Sequence, residues 1–252
     1  MLEEPFAAGN SVIHRLDPRF RTAAAILYCI IVASAYSFPA LGLALAVSIV
    51  MIRLARLELK RVFYRLLIVN GFVAFLWLVL PFTAHGGVVY QLGPLSLHEK
   101  GLLLAAAITI KSNAILMAII ALTATMPLAA LGHAMNRLRF PEKLVYLLML
   151  TYRYIFVLEQ EYKKIIRAVR IRGFIPQTSV HCYKTYAYII GMLFVRASAR
   201  AERVYGAMKC RGFTGKFYSL AQFRASWKNY VFSCLITIAA AGIIVLEYFP
   251  HE

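Results

Sequence analysis

From Thr22 to Ile52 the chain runs for 31 residues without one charged side chain. Arg15, Arg19 and Arg21 precede the run, and Arg53, Arg56, Lys60, Arg61 and Arg65 follow it. A membrane-crossing helix needs about 20 apolar residues. One straight helix of this length overshoots the bilayer. Two hairpinned helices, broken near Tyr36-Ser37-Phe38-Pro39, bring both basic flanks to the same side. Lys and Arg favour the cytoplasmic face, so the hairpin is the reading that satisfies both ends.

Further apolar runs follow. Leu66 to Ala84 carries no charge, Gly101 to Met126 carries only Lys111, and Asn229 to Leu246 carries none. The fold expected is an all-α integral membrane protein with about five transmembrane helices. The basic residues sort accordingly. Three precede the first span, five lie between the second and third, and 18 lie between Pro127 and Lys228. Lys100 alone falls on the expected outer side. The N-terminus is therefore expected in the cytoplasm of a cell inner-membrane protein. Met1-Leu2-Glu3-Glu4 is acidic, unlike the start of a signal peptide.

The composition excludes an ordinary soluble domain. Hydrophobic residues make up 61%, yet the net charge is +17. Buried unpaired charge is costly, so the two properties must be segregated along the chain. Three regions result: residues 1–126 with four spans, 127–228 as a basic cytoplasmic coupling domain, and 229–252 with the last span. The middle region reads as two long amphipathic helices after a short entry segment. One starts near Pro141, with an apolar stripe through Val145, Leu148, Tyr152, Ile155, Tyr162, Ile166 and Val169. The other runs from about Val180, with a stripe through Tyr186, Ile190, Leu193, Ala197, Ala201, Val204 and Met208. The stripes are expected to pack on each other.

Both helices end alike. Ala168-Val-Arg170-Ile-Arg172-Gly173-Phe174 matches Ala207-Met-Lys209-Cys-Arg211-Gly212-Phe213, 39 residues apart. Glycine takes the left-handed conformation that stops a helix, and arginine suits the negative end of the dipole. A single copy is an ordinary helix stop. Two matched copies suggest two rigid plugs for acidic grooves, since guanidinium forks onto carboxylates.

At these residues the sequence resembles the transmembrane T component of energy-coupling factor transporters, and within it the cobalt/nickel branch called CbiQ. The likeness includes His14-Arg15-Leu16-Asp17-Pro18-Arg19, Thr125-Met126-Pro127 and Leu138-Arg139-Phe140-Pro141. It continues through Leu150-Thr151-Tyr152-Arg153-Tyr154-Ile155-Phe156 and Arg200-Ala201-Glu202-Arg203-Val204-Tyr205. The family's helix-end motif is commonly Ala-Arg-Gly; here Ile171 and Cys210 stand at its first position.

The resemblance implies that Arg172, Gly173, Arg211 and Gly212 couple to ATPases, supported by Arg170, Phe174, Lys209 and Phe213. It implies two ATP-binding cassette ATPase subunits and a substrate-binding membrane subunit of the cobalt/nickel type as partners, alongside membrane lipid. ATP and the metal ion would be bound by those partners, with no cofactor and no metal site in this chain.

Other signals point less far. His14, His85, His98, His133, His181 and His251 lack ligand spacing. Gly212 to Lys216 lacks the spacing of a phosphate loop. No acid–base or nucleophilic constellation suggests an enzyme. Lys111 is a candidate intramembrane functional residue, or a side chain that snorkels or rests on the cytoplasmic region. Asp17-Pro18 is expected to cap the first helix, and Arg153 to find an aromatic or carboxylate partner. A membrane-anchored nucleic-acid binder is the first alternative, but its basic residues would be interleaved with long apolar stripes. A lipid-acting enzyme needs clustered acid and base groups. A self-sufficient carrier needs polar groups converging mid-membrane.

Overall fold

The computed structural model describes residues 9, 11–83, 88–92, 95–215 and 226–248. Its helices are α1 (Pro18–Ser34), α2 (Phe38–Ala55), α3 (Leu59–Thr83), α4 (Glu99–Leu122), α5 (Leu128–Arg137), α6 (Glu142–Ile171), α7 (Val180–Cys210) and α8 (Trp227–Tyr248). Two short strands not expected from the sequence, β1 (Val88–Leu92) and β2 (Leu95–His98), pair antiparallel between α3 and α4. His85 and His251, Lys216 and the Met1–Glu4 segment lie outside the described residues.

The long uncharged run is broken as expected. α1 stops at Ser34 and α2 starts at Phe38, with Pro39 in its first turn. Proline has no N–H and is tolerated there, where an N–H has no helical acceptor. Asp17 caps α1, its carboxylate accepting from the Arg19 N–H at 3.0 Å, with Pro18 next.

α2, α3, α4 and α8 are each long and apolar enough to cross a membrane. This makes the protein a multi-pass membrane protein. α1, at 17 residues, spans about 25 Å at the ordinary helical rise.

The chain divides into two compact units. The first holds α1 to α5 and α8. In it α4 packs on α1, α2 and α3, and α8 packs on α1 and α2. Small side chains make the close approach possible: Ala44, Ala105, Ala114, Ala118 and Ala121 are completely buried. Gly101 in α4 is part of the same device. A Cβ there would stand 2.6 Å from the Leu80 carbonyl oxygen and 2.8 Å from the Pro81 Cα of α3.

Buried hydroxyls and amides tie these helices at fixed registers. The Tyr28 hydroxyl reaches the Ala44 carbonyl oxygen at 2.5 Å and Ser48 Oγ at 2.8 Å, and Ser48 donates to the Ala114 carbonyl at 2.8 Å. Asn70 and Asn113 exchange amide hydrogen bonds at 3.0 Å between α3 and α4. In hydrocarbon an unsatisfied polar group is costly, so such pairs select one arrangement.

The second unit holds α6 and α7. Each begins and ends within one or two residues of its expected bounds. They run in opposite senses: Phe174 stacks edge-on against Tyr186 near one end, and Leu150 and Tyr154 face Tyr205 and Met208 near the other. Their stripes meet less than expected. Only Val145, Ile165, Cys182 and Ile189 are fully buried, while the stripe residues Ile155, Tyr162, Tyr186 and Ile190 are exposed. Straight helices of about 45 Å diverge on either side of their crossing, so matching periodicity does not bury their whole length.

Candidate functional site

The two Arg-Gly ends are built identically. Arg172 and Arg211 cap α6 and α7 with φ/ψ of −77°/11° and −89°/11°. Gly173 and Gly212 follow with φ of 82° and 77°, a region that side chains other than glycine rarely adopt. At the first end Gly173 N–H donates to the Arg170 carbonyl at 3.0 Å and Phe174 N–H to the Val169 carbonyl at 3.3 Å. At the second Gly212 N–H donates to Lys209 at 2.9 Å and Phe213 N–H to Met208 at 3.0 Å. This is the Schellman pattern, which uses up the last helical carbonyls and turns the chain sharply.

The consequence is a fixed presentation. Arg172 and Arg211 are exposed, as are Arg170 and Lys209, while Phe174 and Phe213 are half-buried. Phe174 rests on Tyr186 of α7, ring centroids 5.8 Å apart. Lys209 lies over the Tyr205 ring at 4.7 Å. Neither Arg172 nor Arg211 has a carboxylate partner among the described residues. Because α6 and α7 are antiparallel, the two ends lie at opposite extremes of the pair, roughly 36 Å apart by helical rise along α7.

Between these ends one acidic side chain joins the helices. Glu161 of α6 accepts from Lys164 at 3.2 Å, Arg196 at 3.3 Å and Arg200 at 3.2 Å. The Lys164 hydrogen bond, with the neighbouring cations, holds its carboxyl below the usual carboxylate range. Lys163 does the same for Glu159, at 2.6 Å. Beside this cluster, Leu150, Tyr154, Leu158, Ala197, Ala201 and Met208 line an open, mostly apolar groove. Arg153, expected to have an aromatic or carboxylate partner, is exposed without one among the described residues. The neighbouring Tyr152 ring packs on Phe156 at 5.3 Å.

The bundle unit has its own charged junctions. Arg21 is 1% exposed; its Nε donates to the Leu122 carbonyl at 3.1 Å and its other arm reaches Thr125 Oγ1. A cation here meets the negative end of the α4 dipole. The Asp17 N–H donates to Asn229 Oδ1 of α8 at 3.2 Å. Glu247 of α8 caps α2 from outside, accepting from the N–H groups of Tyr36 and Ser37 at 3.0 and 2.9 Å and from the Ser37 hydroxyl at 2.9 Å.

Lys111 bonds the Ala33 carbonyl at 2.9 Å and lies over the Tyr36 ring at 4.4 Å. It anchors α4 to the α1–α2 turn of the same unit, rather than resting on the region expected to be cytoplasmic. Sequence reading missed Arg21, Asn229, Glu161 and Glu247 as partners, because each finds its role with a residue distant in the chain.

The stretch after α4, Thr125-Met126-Pro127, thus meets the first helix through Arg21. Among the described residues, no three His, Cys, Asp or Glu side chains converge on one point. The family profile described as cobalt transport protein, CbiQ, matches residues 9–220. The chain belongs to the CbiQ family.

Relatives agree over nearly the full length. An energy-coupling factor transporter transmembrane protein of Streptococcus equi is 28% identical, covering 95% of this chain and 93% of its own. The corresponding protein of Bacillus subtilis is 26% identical over 98% of this chain and 95% of its own. That of Leuconostoc gelidum is 28% identical over 82% of each. This CbiQ-family chain is therefore a T component of an energy-coupling factor transporter, a non-catalytic membrane subunit.

Proposed function

We propose that this CbiQ-family chain couples ATP hydrolysis by partner subunits to import of cobalt or nickel through a separate substrate-binding membrane subunit. Two cytoplasmic ATPases each receive one helix end, Arg172-Gly173 or Arg211-Gly212. Arg170, Phe174, Lys209 and Phe213 hold those ends in shape. ATP is bound by the ATPases and the metal ion by the third subunit.

One observation carries the reading: two exposed arginines on identically locked helix stops, at opposite extremes of one antiparallel pair. A fork of five donors fixed by a rigid turn suits a carboxylate-lined socket. Two equivalent plugs suit a dimeric partner. When that dimer closes, the plugs approach each other and the helices scissor about their crossing.

In this reading α1 is the fifth crossing and the N-terminus is cytoplasmic in the inner membrane. The segments 1–126, 127–228 and 229–252 are the four-span region, the coupling region and the last span. The charge distribution supports that orientation. The test is uptake of radioactive cobalt and nickel by cells carrying the full transporter. Arg172→Glu/Arg211→Glu is expected to abolish uptake and release the ATPases on purification, with the chain still inserted in the membrane. Normal uptake by the double variant overturns the proposal.

A further inference from the structure

In the bundle unit, the start of α8, the end of α2 and the turn before α1 border an open pocket of about 440 Å³. Three cations line it, Arg15, Arg56 and Lys228, brought together from positions 15, 56 and 228 of the chain. Ser11, Ser226 and Asn229 supply its polar wall. None of the three cations is paired with a carboxylate among the described residues. All three are exposed, so their charge faces outward from the pocket wall, where an anion can meet it.

The surroundings narrow the choice of anion. Lys228 and Asn229 in the first turn of α8 line the pocket, where N–H groups lack helical acceptors and the dipole is positive. Arg56 sits at the α2 terminus with φ 48°, a left-handed conformation that redirects the chain as it leaves the helix. The cavity is at the level where three helices enter the apolar bundle. Val12 on its rim is 61% exposed and Trp227, beside Lys228, is 80% exposed. Exposed aromatics at a helix start mark the bilayer interface. A free anion has no use for that apolar rim, whereas acyl chains do.

We infer that this cavity binds the phosphodiester headgroup of an anionic phospholipid of the inner leaflet. The phosphate meets Arg15, Arg56 and Lys228, and the acyl chains lie along the exposed apolar faces of the adjoining helices. The leaflet assignment rests on the orientation proposed above; the binding chemistry does not. The site is separate from the Arg-Gly helix ends, so its failure leaves the coupling reading untouched.

The test uses the full-length chain in a neutral detergent, with lipid retention read by native mass spectrometry. Phosphatidylglycerol, phosphatidylcholine and inorganic phosphate are titrated separately. The wild type is expected to retain phosphatidylglycerol over phosphatidylcholine. Each neutralisation, Arg15→Gln, Arg56→Gln or Lys228→Gln, is expected to weaken that retention by about fivefold, and Lys228→Arg to restore it. Lys60→Gln, a basic residue outside the cavity, is expected to leave it unchanged. Lys228→Arg, which keeps the charge, keeps the test decisive if a neutralised variant fails to fold. Undiminished retention in all three, an equal loss in Lys60→Gln, or displacement of the lipid by millimolar inorganic phosphate overturns the proposal.

Discussion

In the bundle unit, Ala44, Ala114, Ala118, Ala121 and Leu122 are completely buried around α4, along with the hydroxyls of Tyr28 and Ser48. In the α6–α7 pair only Val145, Ile165, Cys182 and Ile189 are fully buried along helices of 30 and 31 residues. The bundle is keyed by close backbone approach and by polar pairs that fit in one register. The helical pair is joined by the ion cluster around Glu161 and by the aromatic contact between Phe174 and Tyr186. A bundle that fits in one way resists deformation. A pair with few fully buried side chains deforms at smaller cost, as the proposed coupling role requires.

The comparison breaks most clearly at the helix ends. Arg172→Glu/Arg211→Glu should lower metal uptake to background while leaving thermal stability in detergent within about 0.5 kcal/mol, since both side chains are exposed. A large loss of stability would mean that these arginines hold the fold instead.

Next comes the buried cation of the bundle. Arg21→Met should cost about 3 kcal/mol, because it removes charge-assisted hydrogen bonds at the α4 terminus. Thermal unfolding of the solubilised chain measures it. Gly101→Val should cost about 2 kcal/mol through overpacking against the α3 backbone. Tyr28→Phe should cost about 1 kcal/mol for the lost hydroxyl contacts.

The smallest effect is expected at Glu161. Its carboxyl is held below the usual range, so its contribution is present above the ordinary carboxylate value and is lost as pH falls through the lowered one. Acidification from neutral pH to below the carboxylate range should therefore loosen the α6–α7 pair before the bundle. A pair of cysteine-attached spin labels across the crossing would report it, and Glu161→Gln should remove that pH response. If the bundle loosens first, the ranking of the two units is wrong.

Much of this was legible along the chain. The break at Ser37-Phe38-Pro39, the Asp17 cap, the positions of the four long apolar helices and the ends of α6 and α7 follow from local rules about charge, proline and glycine. These act within a turn or two, so order in the sequence carries them. The motif pair ending in Gly173 and Gly212 is also local, and the structure gave both copies the same geometry.

Partnerships were not legible. Arg21 with Thr125, Asp17 with Asn229, Glu247 with Ser37 and Lys111 with Ala33 join residues about 80 to 210 positions apart. Nothing in one helix names its neighbour. Helical period told that α6 and α7 each have an apolar face, but how much of it is covered depends on the crossing of two rigid rods. Local backbone preference and the cost of placing charge in lipid decided where the helices are. Only the packing of those helices in three dimensions decided which side chains meet, because contact energy depends on distance in space and not on distance along the chain.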